Sequence, residues 1–171
     1  MNKMRQIRIE KLTLNFGAGK EQKELDKGIQ LLQNITGILP VKTKTNKRIP
    51  GWGLRPGLPI GCKITMRGPK AKELLIRLLG AKDNALQESN FDNYGNISFG
   101  IHEYIDIPEV KYDPKIGITG LQVSLTLERP GFRIKKRKIA KRKIPHKHQI
   151  TRDDAMFYMQ EQFKLKVGEE E

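Results

Sequence analysis

The stretch TKTNKRIPGWGLRPGLPIGCKITMRG, residues 43–68, holds two strand patterns joined by a loop, and its reading orients the rest of the chain. Ile60, Cys62, Ile64 and Met66 fall on one face of an alternating run, and Lys63, Thr65 and Arg67 on the other, which predicts a half-buried strand over residues 60–67. Residues 41–45 make a short strand before it. Between them, over residues 46–59, Gly and Pro recur around Trp52, the only tryptophan. That spacing predicts an ordered, protruding loop rather than a floppy tail. The stretch contains no Asp or Glu, and the acid-free run extends from Asp26 to Glu73 while including Lys42, Lys44, Lys47, Arg48, Arg55, Lys63, Arg67, Lys70 and Lys72. A surface without negative charge faces something negative.

Upstream, Ile7, Ile9, Leu12 and Leu14 alternate with polar residues and shift phase near Glu10 and Lys11, which predicts a strand with a bulge. Leu25, Ile29, Leu32 and Ile35 then recur at helical spacing until Gly37 and Pro40 stop them. Downstream, Pro69 opens a second helix whose buried stripe is Leu74, Leu75, Leu78 and Leu79, ended by Gly80. Residues 83–96 read as polar turns, and residues 97–107 as a strand or strand pair stopped by Pro108. Leu121, Val123, Leu125 and Leu127 alternate as a last strand. Thr151 with Asp154 three positions on reads as a capping box for a closing helix, with Ala155, Met156, Met159 and Phe163 inward. Residues 168–171 read as a frayed tail. The fold class is α+β: a largely antiparallel sheet with helices packed on one face and a long basic β-β loop.

At 171 residues the chain is read as one domain over residues 1–171, with a protruding loop at 46–59, a basic segment at 129–150 and a C-terminal helix region at 151–167. Its 37% hydrophobic content suffices for one two-layer core. The 33 Lys and Arg against 19 Asp and Glu, a net charge of +14, favour a polyanionic partner. A membrane surface is disfavoured, because the most basic segment has few large apolar residues. The single cysteine excludes an internal disulfide and points to a reducing, cytoplasmic setting; nothing resembles a signal peptide or a membrane span.

Motifs for chemistry fail on inspection. Gly17-Ala18-Gly19-Lys20 resembles a phosphate loop, but the required first glycine is Leu14, the residue after the lysine is Glu21, and a dinucleotide fingerprint has Gln22 at its third glycine. His146 and His148 lack a partnering cysteine and read as solvated or RNA-facing, with no metal implied. Cys62, among Ile60 and Ile64, reads as a buried thiol. No acid/base set emerges around His102-Glu103 or Asp153-Asp154, so no catalytic residue is assigned and no cofactor is implied. The rival reading is an RNA-processing or modifying enzyme using the same basic surface, and it would need a pocket with a perturbed acid or base.

Binding remains. The strand faces opposite the core carry Lys11, Thr13 and Asn15, then Lys42 or Thr43 with Thr45, then Lys63, Thr65 and Arg67. Hydroxyls, an amide and scattered cations on a flat sheet suit a sugar-phosphate groove, and RNA through its 2′-hydroxyls rather than DNA. Trp52 has two roles open, stacking on a base or plugging the loop's own base. A second acid-free tract runs over residues 129–148 with Arg129, Arg133, Lys135, Lys136, Arg137, Lys138, Lys141, Arg142 and Lys143.

The segments IEKLTLNFGAG (residues 9–19), PVKTKTNKRIPGWGLRPGLPIGCKITMRG (40–68), IHEYIDIPEVKYDP (101–114), GLQVSLTL (120–127) and TRDDAMFYMQEQF (151–163) resemble the universal ribosomal protein five family of the large subunit, which binds 5S rRNA. ERPGFRIKKRK (128–138), with that closing helix, resembles its archaeal and eukaryotic branch. The resemblance implies an α+β protein whose sheet docks on 5S rRNA, with Lys11, Thr13, Asn15, Thr43, Lys44, Thr45, Lys63, Thr65 and Arg67 as candidates. It implies a loop that reaches P-site tRNA through Lys47, Arg48, Gly51, Trp52, Gly53, Arg55 and Gly57. Large-subunit rRNA and a small-subunit head protein are further implied partners, the former reached by the 129–143 cations, in the cytoplasmic ribosome. Where the family often has a polar residue after Gly37, commonly Gln, Ile38 and Leu39 stand here, so that contact is not carried over. The longer N-terminal helix of bacterial relatives is not expected.

Overall fold

The strict alternation of Leu12, Leu14 and Phe16 with Lys11, Thr13 and Asn15 produces the central strand, β1 (Arg8–Gly17), in the computed structural model, which describes residues 2–168. The apolar set is buried and the polar set half-exposed, as the two-residue period of a strand requires. Its register shifts between Ile9 and Lys11, the bulge expected there. Helix α1 (Gln22–Thr36) follows, burying Leu25, Leu31, Leu32 and Ile35, and Gly37 closes it in a left-handed conformation with its N–H donating to the Gln33 carbonyl at 2.7 Å.

Strands β2 (Val41–Lys44) and β3 (Pro59–Met66) are antiparallel neighbours on either side of the Gly/Pro loop. Helix α2 (Pro69–Gly80) starts on Pro69 and buries Leu74, Leu75, Leu78 and Leu79. The later strands are β4 (Ala85–Gln87), β5 (Asn96–Ile101) and β6 (Leu121–Glu128). Helix α3 (Arg152–Phe163) begins with the Thr151/Asp154 capping box, and the short β7 (Lys166–Gly168) follows it.

Five strands form one sheet in the order β2-β3-β1-β6-β5, with every neighbouring pair antiparallel. Helices α1 and α2 cover one face, where Leu12, Leu14, Leu25, Leu32, Leu75, Leu78, Val123 and Leu125 meet as a contiguous core. Each leucine so buried contributes ~1.5–3 kcal/mol relative to an exposed one. Lys72 of α2 stands 5.8 Å over the Phe163 ring, which places the end of α3 beside α2 in the helical layer. The α+β class and the one-sided packing of the helices are therefore as expected.

Two details differ from the expectation, and one open alternative is decided. Residues 83–96 are not turns alone, because β4 pairs in parallel with β7. Of the strand or strand pair read over residues 97–107, the single strand β5 forms, followed by a tight helical turn at Tyr104–Asp106. Gly168, expected to fray, belongs to β7; the remainder of that tail, residues 169–171, lies outside the described residues.

Candidate nucleic-acid interface

Antiparallel register stacks like-parity residues across the sheet, so the face opposite the helices can be read row by row. In one row Thr65 of β3 pairs with Thr13 of β1, Thr13 with Ser124 of β6, and Ser124 with Ser98 of β5. Four hydroxyls thus lie in line across four strands, a span of roughly 14 Å at strand spacing, and the two serine oxygens are 3.3 Å apart. The next row runs Val41, Lys63, Asn15, Gln122 and Gly100, with the Asn15 amide donating to Gln122 Oε1 at 2.7 Å. On the other side Lys11 pairs with Thr126 and Thr126 with Asn96. A last row places Thr43 beside Gly61 and Gly17. A side chain at Gly61 would come within 2.5 Å of the Phe16 carbonyl, so the close approach of β1 and β3 there requires glycine.

The sheet thereby brings together Lys11, Thr13, Asn15, Thr43, Lys63 and Thr65, with Arg67 exposed just beyond the end of β3. Lys44 is exposed on the edge strand, opposite Pro59 after a register shift. Thr45 is a correction. It is buried, and its hydroxyl donates to the Lys47 carbonyl at 3.0 Å, so it ties down the loop rather than facing a ligand. The choice between Lys42 and Thr43 falls to Thr43, since Lys42 pairs with Cys62 in the opposite parity.

Sequence reasoning missed half of this face: Gln122, Ser124 and Thr126 on β6, and Asn96 and Ser98 on β5. The signal was present, because each alternates with a buried residue, Leu121, Val123, Leu125, Ile97 or Phe99.

Two carboxylates reach this region at the Arg8 end of the sheet and both are neutralised, while at the β5 edge Asp92 accepts from the Asn96 side-chain amide at 2.6 Å. Glu128 takes Arg8 at 2.7 Å and Lys136 at 3.0 Å, and Glu10 takes Lys136 at 2.7 Å. Burial alone would raise the Glu128 carboxyl, but hydrogen bonds and charge from Lys136 and Arg8 outweigh it and hold it below the ordinary glutamate value. Burial would lower the Lys136 ammonium, and the two glutamates reverse that and hold it above the ordinary lysine value.

The loop between β2 and β3 is ordered by its own backbone. The Thr45 and Gly57 amides bond to the Leu58 and Thr45 carbonyls at 3.0 and 2.8 Å, Ile49 bridges Leu54, and a helical turn covers Pro50–Trp52. Gly53 and Gly57 take positive φ at the two reversals. The plug is Leu54, 7% exposed, whereas Trp52 is 69% exposed and free to stack. Lys47, Arg48, Gly51, Gly53, Arg55 and Gly57 are all exposed around it. Ahead of β2, Ile38 and Leu39 stand 46% and 70% exposed with Val41 at the sheet edge.

The 129–150 tract leaves β6 at the opposite end of the sheet from the loop, since Glu128 pairs with Arg8 while Gly61 pairs with Gly17. Arg133, Lys135, Arg137, Lys138, Lys141, Arg142 and Lys143 are exposed. Arg129 is not: it is 8% exposed, bonded to Asp154 and to the Gln149 carbonyl, both at 2.9 Å. Lys136 is exposed but engaged by Glu10 and Glu128. Both cations therefore fix the tract to the body instead of pointing outward. His148 is turned inward as well, edge-on to Phe132 at 5.7 Å with its Nε2 2.9 Å from the Pro130 carbonyl, while His146 is exposed.

Among the described residues no group of three or more His, Cys, Asp or Glu is placed to hold a metal, and no helix is long and apolar enough to cross a membrane. Cys62 is fully buried, and burial, only partly countered by Lys42, pushes its thiol up to about 11, which leaves it protonated and inert.

Residues 2–55 match the family described as ribosomal protein L5, and residues 59–158 match the model for the C-terminus of that same ribosomal family. The large ribosomal subunit protein uL5 of Sulfurisphaera tokodaii is 44% identical over 170 residues, covering 99% of this chain and 96% of that one. Those of Sulfolobus acidocaldarius and Nanoarchaeum equitans are each 46% identical, over 98% and 96% of this chain and 94% and 97% of theirs. The chain belongs to the ribosomal protein uL5 family, in its archaeal type.

Proposed function

We propose that this chain attaches 5S rRNA to the large-subunit rRNA in the central protuberance, with its Gly/Pro loop directed at P-site tRNA. Its family supplies the coarser part: a non-enzymatic protein of the large ribosomal subunit, working among rRNA and other ribosomal proteins in the cytoplasmic ribosome. The observation that carries the finer part is the row Thr65, Thr13, Ser124, Ser98, set on a face where Glu128 and Glu10 are already paired with cations. Short hydroxyls on a rigid sheet approach ribose 2′-hydroxyls closely, and Lys11, Lys63 and Arg67 flank them to take phosphates. The exposed Trp52 with Arg48 and Arg55 at the far end supports a second RNA there, and the family resemblance makes that RNA the tRNA. A small-subunit head protein is the further protein partner that the resemblance implies.

Binding of 5S rRNA by purified sheet variants tests the proposal. Thr65→Ala and Asn15→Ala each remove one or two hydrogen bonds and should weaken affinity by roughly 2- to 10-fold, the range of one net hydrogen bond. Unchanged affinity in both would move 5S rRNA off the sheet.

A further inference from the structure

Beside the 129–150 tract lies an open cleft of about 630 Å³, well within the size of small-molecule sites. Its floor is apolar and buried, made by Phe132, Ile144 and Ile150. One wall is Tyr94, 67% exposed. Lys135, Lys143 and His146 line it as exposed residues, and no carboxylate does. Lys135 is held there by the Phe132 ring, with its Nζ 4.8 Å from the ring centroid.

The backbone that carries the tyrosine is fixed in place. Asp92 Oδ1 accepts the Tyr94 amide at 2.9 Å and the Asn96 amide at 2.6 Å, which locks the turn that carries the ring. The next residue, Gly95, has a φ of 74°, and a side chain there would come within 2.5 Å of Ile150 Cγ2. The turn is thus docked against the cleft floor with no room to slide. An exposed aromatic ring carried by a rigid turn, sharing a cleft with an apolar floor and two lysines, is complementary to a flat apolar body that carries negative charge.

From this arrangement we infer that the cleft takes one unstacked nucleotide of single-stranded rRNA, with its base against Tyr94 and its flanking phosphates on Lys135 and Lys143. This rests on the RNA-binding reading above and adds to it a distinct kind of contact. The outer sheet face is flat and hydroxyl-rich and suits the groove of paired RNA, whereas the cleft suits a base that has left its helix.

A short single-stranded oligoribonucleotide carrying one 2-aminopurine is the probe, with a blunt RNA duplex and 5S rRNA as comparisons and the full chain as receptor. Wild type should quench the 2-aminopurine. Tyr94→Ala, at an exposed position, should weaken probe binding by at least about fivefold, the low end for one base–aromatic stack, and abolish the quench. Tyr94→Phe should restore both, and Lys135→Ala with Lys143→Ala should weaken the probe with the duplex unaffected. Binding and quench unchanged in Tyr94→Ala would overturn the inference. So would displacement of the probe by AMP alone, which would make the cleft a free-nucleotide site. A wild type that binds 5S rRNA but whose probe binding ignores Tyr94 defeats the cleft alone. A wild type that binds neither defeats the RNA reading beneath it.

Discussion

Glu128 shows how single residues set the character of the sheet's end. It receives Arg8 Nε at 3.0 Å, Arg8 Nη2 at 2.7 Å and Lys136 Nζ at 3.0 Å, which leaves its charge fully answered. Its folded-state carboxyl lies below the ordinary glutamate value of 4.5, so its contribution to stability is present above that value and is lost as pH falls through the folded one. Glu128→Gln should therefore lower the urea midpoint at neutral pH and flatten the acid limb of stability below about pH 4.5, read from unfolding curves at a series of pH values. Parallel acid limbs in wild type and variant would show that the carboxylate is not the titrating group. Lys136 has the opposite sign: its contribution is complete below the ordinary lysine value of 10.5 and lost as pH rises beyond it. None of this was legible in the sequence. Arg8 and Glu128 are 120 positions apart, and Arg129 meets Asp154 across 25. A charge run states how many cations there are, but tertiary structure decides which of them turn inward.

Elements were legible wherever periodicity was strong. The leucine stripes gave both α1 and α2, the alternation gave β1, β3 and β6, and the Thr151/Asp154 box gave the start of α3, because in each case local spacing and burial agree. The pair β4–β7 escaped because three-residue strands carry no period, and their parallel partners are some eighty positions apart in the chain. The β5 half of the outer face escaped for a related reason: a polar residue on an exposed face gains meaning only when a neighbouring strand aligns it with others. The loop was legible as an ordered excursion, and the structure adds that Leu54 anchors it while Trp52 stays free. Ala at Lys47, Arg48 and Arg55 together should accordingly leave unfolding within about 0.5 kcal/mol of wild type, as for exposed positions away from packing. It should leave 5S rRNA affinity within about twofold while weakening tRNA contact on assembled ribosomes, measured by tRNA footprinting. Equal loss toward both RNAs would merge the loop and the sheet into one site.

At the scale of the molecule, the decisive fact is the length of the sheet between the loop and the basic tract. The ten residues of β1 span roughly 30 Å at strand rise, and the two regions sit at its opposite ends. That separation is nearly four Debye lengths at physiological salt, so cations at one end do not feel which phosphates are held at the other. The salt dependence of binding should then divide by surface. Each neutralised phosphate steepens the fall of log affinity with log salt by about 0.7–0.9. Ala at Lys47, Arg48 and Arg55 should flatten the slope for tRNA by about two, with little change for a large-subunit rRNA fragment. Ala at Arg133, Lys138 and Arg142 should do the reverse, because those side chains stand free at the far end while Arg129 and Lys136 hold the tract to the body. Titrations between about 50 and 200 mM salt give the slopes. A wild type whose 5S rRNA affinity ignores salt would refute the electrostatic account, and variants that flatten both slopes together would refute the division of the molecule into two RNA-facing ends.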